Sequence, residues 1–234
     1  MLREHSCPRN FSHGWAAIEF VPVNILFDLD GTLTDPGPGI VGCMQHALAK
    51  MGRPAPRDGE LASFIGPPLL DSLRKLLGTS DHAEVMQALD FYRERYATTG
   101  LFENKVYPGI RDALESLCAR GDTLFVATSK PGLYARRIID HFALARYFQR
   151  VWGSELDGTL SDKGSLIAHV LKQENLSPSG TVMVGDRMHD AIGARANGVV
   201  PVGVLWGYGD EHELTAVQCK VLLRTPAELA HLVI

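Results

Sequence analysis

Short apolar runs that each end in polar or glycine-rich sequence recur along this chain, and most of the later ones are separated by one helical pattern. The runs are Val21 to Phe27, Thr123 to Ala127, Val151 to Gly153, Thr181 to Val184 and Pro201 to Leu205. Between and after them, apolar residues return at helical spacing in Ile110 to Arg120, Leu133 to Phe142, Ser165 to Gln173 and His189 to Asn197. A continuous apolar run is what a strand buried on both faces needs, and strand–helix alternation supplies the covering layers. The pattern therefore predicts an α/β chain whose core is a doubly wound parallel sheet, a Rossmann-like arrangement with helices on both sides.

One stretch breaks the alternation. Between the first run and Tyr107 the sequence carries three helical stripes and no convincing strand: Ile40, Met44, Ala47, Leu48 and Met51, then Leu69, Leu70, Leu73, Leu76 and Leu77, then Val85, Leu89, Tyr92 and Tyr96. Turn-rich sequences enter and leave it, at Asp35–Pro36–Gly37–Pro38 and Lys105 to Gly109, and it is too long for a loop. The division expected is an N-terminal tail at 1–20, a core domain from 21–36 and 106–234, and an inserted all-helical cap at 37–105. At 234 residues, one large domain carrying an insertion also matches the usual domain size.

Twenty-three Lys and Arg against 27 Asp and Glu leave a net charge of -4, which offers no electrostatic reason to expect a nucleic-acid or membrane partner. Cys7, Cys43, Cys118 and Cys219 are scattered, form no metal pattern and are read as isolated small hydrophobes. With no disulfide framework and no apolar span, a cytoplasmic protein is expected. The tail Met1 to Phe20 lacks the apolar segment of a signal peptide, and its His5, Cys7 and His13 match no zinc spacing.

In open parallel sheets ligands bind outside the carboxyl ends of the strands. The first run leads into Asp28–Leu29–Asp30–Gly31–Thr32, where alternation sends Asp28 and Asp30 to one side and Leu29 toward the core. After TVMV, Gly185 to Asp190 places Asp186 at a strand exit and Asp190 one helical turn on. Two unit charges about 4 Å apart repel by roughly 4 kcal/mol at an effective dielectric near 20, so four converging acids call for a cation. All-oxygen ligation is the preference of magnesium rather than zinc. The plainer reading of Asp186 and Asp190 is a pair of acids serving a helix N-terminus.

Thr128 and Ser129, after TLFVA, offer a hydroxyl and backbone amides where a helix is expected to begin, an anion site or a simple cap. Lys163 also opens a helix, where its charge is unfavourable unless an anion faces it, and Lys130 competes for the same role. Ordinary pairing with Asp162 or Glu155 is the alternative for Lys163.

DLDGT at Asp28 to Thr32, the hydroxyl at Thr128, Lys163 and GDRMHD at Gly185 to Asp190 resemble the four ordered motifs of the haloacid dehalogenase-like phosphohydrolases, over about Val23 to Ile234. The position of the helical insertion, with YPG at Tyr107 to Gly109 and ATSKPG at Ala127 to Gly132, is similar to the phosphoglycolate phosphatase-like branch, some members of which are 5'-nucleotidases. The resemblance implies Asp28 as the nucleophile that takes the phosphoryl group. It implies Asp30 as the acid that protonates the leaving oxygen and then activates water, its backbone carbonyl serving the metal. It further implies Mg2+ held by Asp28, Asp30, Asp186 and Asp190, the last directly or through water. Thr128 and the Ser129 amide would hold phosphoryl oxygens, and Lys163 would neutralise nucleophile and phosphate. The expected substrate is a small phosphorylated metabolite.

Substrate choice falls to other residues: the loop Phe64 to Pro68, the cations Arg74, Lys75, Arg93 and Arg95, and Trp206 to Gly209 as a wall. A dehalogenase would not need Asp30, since a departing halide takes no proton. A phosphomutase would keep every motif. A phospho-acceptor signalling module uses similar residues, but the large insertion and the general acid in DxDGT argue against it.

Overall fold

Asn24 and the three apolar residues that end the first run form β1 (Asn24–Phe27), in the middle of the sheet. The computed structural model describes residues 22–232, so the expected tail, its His5, Cys7 and His13, and Val21 lie outside the described residues. After β1 come β2 (Thr34–Asp35), α1 (Gly37–Lys50), α2 (Asp58–Leu61), α3 (Leu69–Leu77), α4 (His82–Arg95) and β3 (Lys105–Val106). The second half runs α5 (Ile110–Arg120), β4 (Thr123–Pro131), α6 (Gly132–His141), β5 (Arg150–Ser154), α7 (Lys163–Gln173), β6 (Thr181–Gly185), α8 (Met188–Ala196), β7 (Val200–Val204), α9 (Glu211–Ala216) and β8 (Val221–Leu223).

The six long-sheet strands lie in the order β5-β4-β1-β6-β7-β8, every neighbour parallel. Asn24 is level with Thr123 on one side and Thr181 on the other, so β1 ends at Phe27 level with Val126 of β4 and Val184 of β6. The chain builds outward from β1 through β4 to β5, then crosses back to start the other half at β6. That reversal opens the crevice in which such sheets bind ligands.

Period-two alternation sorts the strand side chains into two cores. Ile25, Phe27, Val126, Val182 and Val184 pack with Leu114 and Leu117 of α5 and Ile138 of α6. Leu26, Phe125 and Met183 face the other way, onto Leu166, Ile167 and Val170 of α7 and Ala194 of α8. Each fully buried Leu or Ile contributes about 1.5–3 kcal/mol by leaving water, so a strand of this kind is stable only between two helical layers.

The stretch before Tyr107 holds two strands that the sequence pattern did not show, β2 and β3, which pair antiparallel as Thr34↔Val106 and Asp35↔Lys105 and at two residues each are too short to carry a period; between them the described chain is helical or irregular. All three expected stripes face inward. Ile40 and Met44 join the core that continues beneath the sheet edge, whereas Leu48, Leu73, Leu77, Val85 and Leu89 make a separate cluster among α1, α3 and α4. Asp81 caps α4 by accepting from the Glu84 amide at 3.0 Å, and α3 stops at Gly78 in the left-handed conformation, φ 64°.

Two local expectations change. TLFVA does not stop at Ala127: β4 runs on to Pro131, held by pairing of Thr128 with Gly153 and, after a register shift, Pro131 with Ser154. Cys43 and Cys219 are buried as small hydrophobes, but Cys118 is exposed, because it falls on the outer side of α5. No helix among the described residues is long and apolar enough to cross a membrane.

Candidate active site

The turn after β1 is closed tightly. Leu33 and Thr34 both donate to the Leu29 carbonyl at 3.0 Å, and the Gly31 amide donates to Thr34 O at 2.8 Å. Gly31 has φ 85°, and a Cβ there would run into the Asp186 carboxylate. The turn after β1 and the exit of β6 are thus in contact, which only glycine permits at that point. Gly207, in the segment after β7, approaches Asp186 equally closely.

Asp28, Asp186 and Asp190 are buried, and each offers an oxygen within 4.8 Å of the others. At that separation each pair repels by roughly 3–4 kcal/mol at an effective dielectric near 20. Lys163 answers part of this charge. Its ammonium lies 3.0 Å from Asp28 Oδ1 and 2.7 Å from Asp190 Oδ1, and donates to the Ala127 carbonyl at 3.0 Å. Asp162 caps α7 through the Ser165 amide at 2.8 Å, so Lys163 is released inward from the helix start rather than pairing with Asp162 or Glu155. Burial alone would lower the Lys163 pKa; Asp190 and Asp28 overcome it and raise it.

Asp190 serves both readings of its position. Its Oδ2 accepts from the Arg187 amide at 3.1 Å, as a helix-start acid should, while Oδ1 faces Lys163. Burial raises the Asp190 pKa against the pull of Lys163. Asp186 has a different balance: Tyr208 N donates to Oδ2 at 2.8 Å, but Oδ1 is buried with no hydrogen-bond partner among the described residues. Burial, then Asp190 and Asp28, push its pKa well above the ordinary 3.8. A cluster with three carboxylates and one ammonium binds protons because it is short of positive charge. An orphaned carboxylate oxygen in an all-oxygen group is the donor set of a hard divalent cation.

Asp30 stands apart from that group. Its Oδ1 takes the Lys130 ammonium at 2.7 Å, and Lys130 lies over the Tyr96 ring, 5.3 Å from its centroid. The two candidate lysines therefore hold different acids. Burial raises the Asp30 pKa more than Lys130 lowers it. With Lys130 included, four carboxylates face two ammonium groups, and one divalent cation would bring the sum to zero. The Thr128 hydroxyl, buried beside them, accepts from the Lys130 amide at 3.3 Å, and Ser129 O accepts from Ser154 Oγ at 2.9 Å. Thr128 and Ser129 sit within β4, ahead of the helix start at Gly132.

A cleft of about 970 Å³, counted out to its open mouth, joins Asp28, Asp30, Thr128, Ser129 and Lys130 to the helices between β2 and β3. The loop Phe64 to Pro68 reaches it, with Phe64, Gly66, Pro67 and Pro68 in its wall. Arg187 grips that loop by donating to Ile65 O, its Nε held by Glu213 at 2.9 Å. Of the four expected cations only Arg93 lines the cleft, and it donates to Leu156 O at 2.6 Å. Arg74 pairs with Asp71 at 2.7 Å and Arg95 with Glu103 at 2.7 and 2.9 Å, while Lys75 is exposed. Trp206 to Gly209 stands behind the acids: Trp206 Nε1 donates to Thr32 O at 3.0 Å, and the Tyr208 hydroxyl donates to Asp35. Sequence reasoning missed the Tyr208 amide on Asp186, since a backbone donor carries no residue signature. It also read Tyr92 and Tyr96 as core alone, because a cleft-lining residue on an apolar stripe has the same spacing.

The model of the haloacid dehalogenase-like hydrolases matches residues 25–204. A 5'-nucleotidase of Pseudomonas aeruginosa is 52% identical over 195 residues, covering 83% of this chain and 88% of that one. The tyrosine-protein kinase PtkA of Mycobacterium tuberculosis is 43% identical over 189 residues, covering 80% of this chain and 64% of that one. Among solved structures, a predicted phosphatase from Clostridium acetobutylicum superposes with a TM-score of 0.87 at 38% identity, covering 90% of this chain and 97% of that one.

Proposed function

The chain belongs to the haloacid dehalogenase-like hydrolase family, and from that premise we propose that it is a magnesium-dependent phosphatase that hydrolyses a small phosphomonoester, phosphoglycolate-like or a nucleoside monophosphate, through an aspartyl phosphate. The observation that carries the proposal is the buried group Asp28, Asp186 and Asp190 with Lys163 against two of its members and Asp30 beside it. Asp28 attacks phosphorus; Lys163 holds its carboxylate and offsets the charge gathering on the phosphoryl oxygens. The Thr128 hydroxyl and the Ser129 amide cradle those oxygens. Asp28, Asp186, Asp190 and the Asp30 carbonyl are the groups that would hold Mg2+, Asp190 directly or through water. When bound, the ion supplies positive charge that lets anionic nucleophile and dianionic phosphate approach.

Asp30 takes the acid/base role. Expulsion of an alkoxide needs a proton, and burial keeps the Asp30 carboxyl protonated at higher pH than a solvated one. The same group then takes a proton from the water that attacks the aspartyl phosphate, and Lys130 stabilises the carboxylate in between. The helical block 37–105 acts as a cap on a core of 21–36 and 106–234, and it contributes the leaving-group side of the cleft. The proposal is tested by phosphate release from a panel of phosphate esters with Mg2+ and with chelator: activity only with the metal supports it, and full activity in metal-free protein refutes it.

The similarity to PtkA favours a second reading, in which the phosphoryl group passes to a tyrosine hydroxyl rather than to water. Radiolabelled nucleoside triphosphate separates the two. Label passed from the triphosphate to a tyrosine supports transfer; no labelled tyrosine, with inorganic phosphate released from unlabelled monoesters, supports hydrolysis.

A further inference from the structure

The cleft has a wall of two kinds. Asp28, Asp30, Lys130 and the Thr128 hydroxyl make its polar part. Much of the rest is apolar and aromatic, with Met44, Leu70, Leu89, Tyr92, Tyr96 and Tyr134, and Tyr96 adjoins the polar part through Lys130. The tyrosines form one block: Tyr92 stacks on Tyr96 with centroids 5.3 Å apart, and Tyr134 meets Tyr96 edge-on at 5.3 Å.

Charge accounting separates the two substrate types. A phosphorylated hydroxy acid brings a carboxylate as a second anionic group beside its phosphate, and that group needs a cation of its own in the wall. Lys130 is held by Asp30, and Arg93, the other cation of the wall, is engaged with Leu156 O and shares the wall with Glu155. Both cations of the wall are thus already engaged. Aromatic walls instead suit a planar, uncharged group.

Tyr96 adds a specific group. It is 3% exposed and lines the cleft, yet its buried hydroxyl has no hydrogen-bond partner among the described residues. A buried polar atom left unpaired is unfavourable and calls for an explanation. The backbone is also irregular there: a π-helical turn spans Tyr96–Gly100, and such turns gather at functional sites.

We propose that the cleft selects phosphate esters of uncharged, ring-bearing alcohols, nucleosides foremost, over phosphorylated hydroxy acids, with the Tyr96 hydroxyl a specificity determinant that bonds the ring. The inference rests on the phosphatase reading above and narrows it.

The test compares kcat/KM of the full chain with Mg2+ for nucleoside 5'-monophosphates, ribose 5-phosphate, 2-phosphoglycolate and p-nitrophenyl phosphate. The expected order puts nucleotides about 10- to 100-fold above ribose 5-phosphate, the worth of an aromatic contact to a base, with phosphoglycolate below both. In Tyr96→Phe the nucleotide-to-ribose 5-phosphate ratio should fall about 3- to 10-fold, one hydrogen bond's worth, with no loss of thermal stability, since the hydroxyl is unpaired in the free protein. Phosphoglycolate equal to the nucleotides, or ribose 5-phosphate as good as they are, overturns the selection. A ratio unchanged in Tyr96→Phe overturns the assignment of Tyr96. Hydrolysis of no ester, p-nitrophenyl phosphate included, refutes the phosphatase reading and this inference with it, an outcome distinct from a reversed preference.

Discussion

Replacing Asp186 with Asn should make the metal-free protein more stable and remove most of the further stabilisation that Mg2+ gives. Asp186 lies within 4.8 Å of two other carboxylates, so its charge costs roughly 3–4 kcal/mol against each at an effective dielectric near 20. Taking up a proton limits the penalty: from an ordinary pKa of 3.8, protonation at pH 7 costs about 4 kcal/mol. Asn keeps an oxygen for the Tyr208 amide and removes the charge. The metal-free variant should therefore gain about 2–4 kcal/mol at pH 7, a rise of roughly 5–15 °C for a domain of this size.

The sign with pH follows from the raised pKa. Above 3.8 the folded protein holds a proton at Asp186 that the unfolded chain has released, so metal-free wild type loses stability as pH rises toward the folded pKa. In Asp186→Asn this contribution is absent, and the gap between the two proteins should close as pH falls toward 4. Adding Mg2+ at about 100 times its Kd should stabilise wild type by about 2.7 kcal/mol and the variant far less. Thermal unfolding in chelator and in Mg2+, repeated from pH 4 to 8, reads all of this. A metal-free variant no more stable than wild type, or equal stabilisation of both by Mg2+, refutes the reasoning.

Lys163→Met should cost about 3–5 kcal/mol, since it leaves Asp28 and Asp190 buried without their cation, and should abolish turnover of every ester; denaturant melts and phosphate release check the two parts. Gly31→Ala puts a Cβ into the Asp186 carboxylate at φ 85°, so isothermal titration should find Mg2+ binding lost even where the chain folds. Leu117→Ala, in the core at the end of α5 where β4 begins and away from the strand ends that carry the acids, should cost about 2–5 kcal/mol while leaving kcat of the folded fraction near wild type.

The sheet was legible in the sequence because a strand buried on both faces must be apolar throughout, and four of the runs differ from their observed strands only at the ends. β8, of three residues, and the two-residue β2 and β3 are too short to show a period. Asp28, Asp186, Asp190 and Lys163 were legible as charges at strand ends and a helix start, and they do meet. The partition of the lysines was not: whether Lys130 or Lys163 faces Asp28 depends on how far β4 runs before α6 begins, and the apolar run ends at Ala127 while the strand continues to Pro131. The tyrosine wall was hidden for the opposite reason, since packing between helices and lining a cleft ask for the same residues at the same spacing.

The claim at the centre of this account is that Asp28 carries the phosphoryl group and Asp30 moves the protons. Rapid-quench kinetics of Asp30→Asn with p-nitrophenyl phosphate tests it most directly, because p-nitrophenolate leaves without a proton whereas hydrolysis of the aspartyl phosphate still needs a base. The expected result is a burst of about one p-nitrophenolate per site followed by slow turnover, with phosphate on the peptide that contains Asp28 and no burst in Asp28→Asn. Near-normal steady turnover in Asp30→Asn, or a burst that survives in Asp28→Asn, would contradict it.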